Sequence, residues 1–72
     1  MTDEAEAART YLRLTQLLDD VERDHPEISA TLRLTLVRSR RRHHAGWLDA
    51  ERFREVLLQL IDASQAAQPS RV

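Results

Sequence analysis

Apolar side chains recur at helical spacing along this 72-residue chain, in three blocks punctuated by Pro26 and Gly46. The last block is the clearest. Phe53, Val56, Leu57, Leu60 and Ile61 stand at i, i+3, i+4, i+7 and i+8, a single stripe along one helix face. Asp49 is placed to cap the first turn, because its carboxylate can accept from backbone N–H groups that have no partner one turn upstream. Leu48 just before that cap and Phe53 four residues into the helix have the spacing of a hydrophobic staple. Gly46 allows a sharp turn ahead of both. A helix over 49–66 is expected. Past Ile61 the stripe thins, with Ser64 next on that face, so the segment from Ala63 is expected to fray and 67–72 to form a disordered tail.

In the first block Ala7, Tyr11, Leu14, Leu18 and Val21 alternate steps of four and three, the rhythm of a seam against another helix, and Leu17 widens it. Asp3 and Glu6 have capping-box spacing, and the early acids suit the positive end of the helix dipole. Asp19 and Arg23, four apart, are expected to pair on the outer face. Pro26 ends the element, since the residue before a proline avoids helical backbone angles. The helix therefore covers 3–24. Pro26 and Glu27 in turn suit the first turn of the next one.

The middle block carries two patterns. Residues 28–36 alternate apolar and polar, the period of a half-buried strand. Wound as a helix, the same stretch shows two stripes on nearly opposite sides, Ile28, Leu32 and Leu36 on one and Ala30, Leu34 and Val37 on the other. A lone strand could pair only with another chain, and leucine, alanine and arginine favour helix more than the two threonines oppose it. Residues 27–43 are therefore expected to be helical, with an intersubunit strand as the alternative. The expected fold is all-α, a small three-helix bundle forming one domain over 1–66. Its doubly striped middle helix could pack its own neighbours with one side and a second subunit with the other, so self-association is expected.

Composition sharpens this picture in two places. No cysteine is present, so neither a disulfide nor a thiolate metal site can reinforce a core that buries only about 60% of the surface its unfolded chain exposes. All eleven cations are arginines. The near-neutral net charge of −1 conceals a segregation: three arginines against eight acids over 1–31 (−5), seven against two over 32–54 (+5), and one against two over 55–72 (−1). Such a split can mark a nucleic-acid face or two helices that attract each other within the fold. There is no membrane-length apolar run and no signal-peptide pattern, so the expected address is the cytoplasm.

Chemistry is sparse. With one glycine there is no glycine-rich phosphate loop, there is no cysteine nucleophile, and no serine lies in a nucleophile turn. The carboxylate pairs Asp19/Asp20 and Glu51/Glu55 fall on outer faces, where solvated charges are expected. His25 sits beside a turn, as a cap or a solvated side chain. His43 and His44 point about 100° apart on a helix and have arginine neighbours that repel a cation, so no metal site is expected. Gly46-Trp47-Leu48 before a capped helix looks like the exit half of an EF-hand loop, but Arg41 and Arg52 would stand where acidic ligands belong, and that excludes calcium. No enzyme activity and no cofactor are expected.

Two function classes remain. The first is a non-enzymatic interaction module that self-associates or docks on a larger protein through Ala30, Leu34, Val37 and Trp47. The second is a nucleic-acid-binding regulator using the arginine-rich stretch 33–54, as a dimer, with Arg38, Arg40, Arg41 and Arg42 on phosphates. In the first reading the same arginines serve the negative end of the helix dipole and meet the acids of the first helix.

Overall fold

Three α-helices build the fold in the computed structural model, which describes residues 3–68: α1 (Asp3–Asp24), α2 (Pro26–His44) and α3 (Ala50–Ala67). Among the described residues there is no strand, so the alternation over 28–36 is helical. Each helix packs on the other two, and α1 with α3 forms the largest of the three interfaces.

The two connections differ. Between α1 and α2 stands one residue. The His25 amide donates to the Val21 carbonyl at 2.7 Å, continuing the α1 ladder, while its own carbonyl accepts from the Ser29 amide at 3.1 Å and opens α2. Pro26 follows at the first helical position, where a missing N–H leaves nothing unsatisfied. His25 makes no side-chain cap bond. At the other end, α2 closes in a Schellman motif: Gly46 takes φ +82°, its amide reaches the His43 carbonyl at 3.1 Å, and the Trp47 amide reaches the Arg42 carbonyl at 2.9 Å. The Asp49 carboxylate then caps α3, accepting from the Arg52 amide at 2.8 Å.

One apolar cluster joins the helices. Ala7, Leu14 and Leu18 enter it from α1, Leu36 from α2, and Phe53, Leu57, Leu60 and Ile61 from α3, with Tyr11, Leu32, Leu48 and Val56 packed around them. Leu48 and Phe53 thus belong to the same core, as a staple requires. Leu14, Leu18 and Leu57 are fully buried, each contributing about 1.5–3 kcal/mol by leaving water.

Serines fill places where helices approach closely. Ser29 is fully buried on α2, and its hydroxyl donates to the Leu18 carbonyl of α1 at 3.0 Å. The same oxygen accepts from Arg33 Nε at 3.3 Å, and Arg33 Nη2 reaches Asp19 Oδ1 at 2.6 Å. Asp19 therefore pairs across the interface and not with Arg23. A guanidinium already held by Ser29 loses less freedom in pairing than a solvated Arg23 would. Ser64 is also fully buried, with its hydroxyl satisfied by the Leu60 carbonyl at 2.8 Å. The fraying expected from Ala63 does not occur, because this small side chain keeps the last turns against the core. Ala67 is the last residue of α3 and Gln68 its C-cap, so of the expected tail only 69–72 lie outside the described residues.

Candidate interaction surface

Helix α2 decides which of its two stripes faces inward. Leu36 is buried, and Ile28 and Leu32 are half-buried beside it. The opposite stripe faces solvent: Ala30 is exposed, Leu34 is 51% exposed and Val37 46%. These side chains are successive positions of one seam, so they form a continuous apolar strip on the outer face of the bundle. Trp47 is 81% exposed at the α2–α3 turn. The apolar contact that usually accompanies a Schellman motif would need a partner at position 41 or 42, and both are arginines. Among the described residues Trp47 is left largely in solvent for that reason.

The arginines of α2 do not act as one group. Arg38, Arg41 and Arg42 are exposed and make no ion pair among the described residues. Arg40 turns toward α1, with its guanidinium 5.4 Å above the Tyr11 ring and Nη1 donating to the Tyr11 hydroxyl at 3.4 Å. No acid occurs over 28–48, so the C-terminal half of α2 is uniformly basic. A shallow depression of about 520 Å³ on its last turns has Val37 and Ala45 beside Arg40, Arg41 and His44.

The charge segregation is partly internal. All three ion pairs among the described residues take their acid from α1: Arg33 with Asp19, His43 with Glu4 at 3.3 Å, and Arg54 with Glu6 at 3.5 Å. Attraction between elements thus uses part of the positive charge, and among the described residues it leaves Arg38, Arg40, Arg41, Arg42 and Arg52 without an ion pair.

His43 has a structural place that its pairing with His44 in sequence hides. It continues the inward stripe through Leu32, Leu36 and Ser39 at steps of four, three and four. Its ring stacks on Phe53 at 4.7 Å and 10°. Nδ1 donates to the Leu48 carbonyl at 2.8 Å, and Nε2 faces the Glu4 carboxylate. Both nitrogens meet acceptors, an arrangement that fits an imidazolium. The Leu48 carbonyl above all, then Glu4 and Asp49, raise its pKa from the ordinary 6.5 against the opposing effect of burial. An open cleft of about 240 Å³ lies beside it, between Glu4, Tyr11, Arg40 and His44. Among the described residues no three His, Asp or Glu side chains come together as a metal site, and no helix is long and apolar enough to cross a membrane.

Comparison with family models, with curated proteins and with solved structures gives no match. What this surface offers a partner is set by its own residues.

Proposed function

We propose that this chain is a non-enzymatic helical interaction module, a regulator, adaptor or small subunit, that docks on another protein chain through the outer face of α2. The observation that carries this reading is the pair Leu34 and Val37, about half exposed on a helix whose core-facing stripe is already in use. Covering the exposed half of each would contribute about 1 kcal/mol per side chain. Trp47 adds a large aromatic surface of the kind that anchors interfaces. The compartment proposed for it is the cytoplasm, and no described helix is long and apolar enough to cross a membrane.

The test is a photo-crosslinking residue placed at Leu34 in cells, with Gln16 on the exposed face of α1 as control. Protein adducts from position 34 that are absent from position 16 are expected. A helical, expressed variant giving no protein adduct at 34 overturns the proposal.

A second reading, a nucleic-acid-binding regulator, is favoured by Arg38, Arg40, Arg41 and Arg42, which stand in an acid-free stretch and have no ion pair among the described residues. Four phosphates gripped by Arg38, Arg40, Arg41 and Arg42 would give a log–log salt slope of roughly −3 to −4 on duplex DNA, doubled in a dimer. No strong binding is expected at physiological salt, and tight, salt-sensitive binding lost when the four become serine would reverse the ranking.

A further inference from the structure

We infer that the occupant of the α2 outer face is a second copy of this chain, packed antiparallel about a two-fold axis at Leu34, with Glu27 of each copy against Arg41 of the other. This rests on the docking role proposed above and names the partner.

Position along the helix carries the inference. Glu27, Ala30, Leu34, Val37 and Arg41 follow one another at steps of three, four, three and four, the spacing of one seam. All five are exposed. Leu34 is the midpoint, seven residues from Glu27 and seven from Arg41. At 1.5 Å per residue each charge therefore stands about 10 Å from the centre, on opposite sides. A two-fold rotation about Leu34 superposes the Glu27 end on the Arg41 end. The two apolar centres then meet, and both charge pairs form across the axis, as an isologous interface demands. Neither Glu27 nor Arg41 has an ion pair within its own chain among the described residues.

The surroundings follow the same polarity. Arg38, Arg41 and Arg42 mark the C-terminal half of α2, while the exposed acids Asp20, Glu22, Asp24 and Glu27 outnumber the single Arg23 where α1 passes into α2. Antiparallel packing lays the basic end of each copy on the acidic end of the other. A parallel pair would set Glu27 against Glu27 and Arg41 against Arg41, so the same charges that favour one orientation oppose the other. The small side chain of Ala30 lets the two helices come close.

The decisive experiment is a charge swap read by sedimentation. The parent should reach twice the 8.4 kDa chain mass as concentration rises. Glu27→Arg alone and Arg41→Glu alone should each weaken the dimer by about tenfold or more, because both cross-axis pairs become repulsive. An equimolar mixture of the two variants should dimerise again. In that mixed pair the introduced arginine faces the introduced glutamate on one side of the axis, and the native Glu27 faces the native Arg41 on the other. The double variant in one chain should likewise recover. Circular dichroism on each variant confirms that the helices persist. A parent that stays monomeric, single variants that dimerise like the parent, or a mixture that remains monomeric would each overturn the inference. The crosslink at position 34 separates this from the underlying proposal. An adduct of another mass refutes the self-pairing and leaves the docking role standing; no protein adduct refutes both.

Discussion

Helices α2 and α3 are of nearly equal length, 19 and 18 residues, and both lie on α1, yet they divide their apolar side chains differently between core and solvent. Helix α3 turns Phe53, Leu57, Leu60 and Ile61 into the core. Helix α2 buries Leu36 together with two serines and leaves Leu34 and Val37 in solvent. The first is held by apolar area. The second is seated by Leu36 with the half-buried Ile28 and Leu32, together with a polar lock in which Ser29 donates to the Leu18 carbonyl and Arg33 pairs with Asp19 of α1. A helix seated by so few large apolar groups keeps a second apolar strip, Ala30, Leu34 and Val37, free for another use.

Substitutions on the two helices should therefore differ most where both carry leucine-sized groups. Phe53→Ala or Leu57→Ala is expected to cost about 3–5 kcal/mol, a large part of the stability of so small a domain. Leu34→Ala, measured in dilute monomer, is expected to change stability by under about 0.5 kcal/mol. Urea melts at low protein concentration decide this, and similar losses on both helices would erase the contrast.

The buried serines sharpen it. Ser29→Ala removes the interhelical bond to Leu18 and an acceptor for Arg33, and about 1 kcal/mol is expected to go with them. Ser64→Ala should be nearly neutral or slightly stabilising, because that hydroxyl serves only its own helix and alanine is the better helix former. A larger loss at Ser64 than at Ser29 would mean the lock is not what seats α2.

Helix starts give a third contrast, of similar or smaller size. Asp49→Ala should cost about 1 kcal/mol in a thermal melt, as the Arg52 amide loses its acceptor. His25→Ala should have little effect, since His25 caps α2 through its backbone only.

How far these differences could be read from sequence follows the physics of each helix. In α1 and α3 the inward residues are large and apolar, so periodicity alone places Leu14, Leu18, Leu57 and Leu60 in the core. In α2 the inward positions 29 and 39 are serines, and a hydrophobic pattern is blind to a hydroxyl bound to a neighbouring backbone. The two stripes were visible there, but which one faces inward depends on packing. Trp47 and the Ala30–Leu34–Val37 strip were legible as apolar surface in excess of what one bundle buries. His43 was not, because its role depends on Phe53, Leu48 and Glu4 arriving together, although its register with Leu36 and Ser39 was a signal.

His43 supplies a further expected effect, the only one set by pH. Its pKa is higher in the folded protein than the ordinary 6.5, through the Leu48 carbonyl and then Glu4 and Asp49, against the opposing effect of burial. The imidazolium's contribution is thus fully present below the unfolded value near 6.5 and is lost as pH rises through the folded one. The stability difference between parent and His43→Gln should be larger at pH 5.5 than at pH 8.5. Equal differences at both values would show that stacking on Phe53, and not charge, is what His43 contributes.

Between α1 and α2 only His25 intervenes, whereas α1 and α3 are separated by all of α2. Bringing the first two helices together closes almost no loop, so that hairpin can form early at little entropic cost. With Leu36 as its one large buried apolar group on α2, it has too little area to persist alone. Arrival of α3 on α1 is then the event that turns a fleeting hairpin into a fold. Ser29→Ala should accordingly slow folding, while Leu60→Ala should act mainly by speeding unfolding, a division that stopped-flow kinetics would resolve.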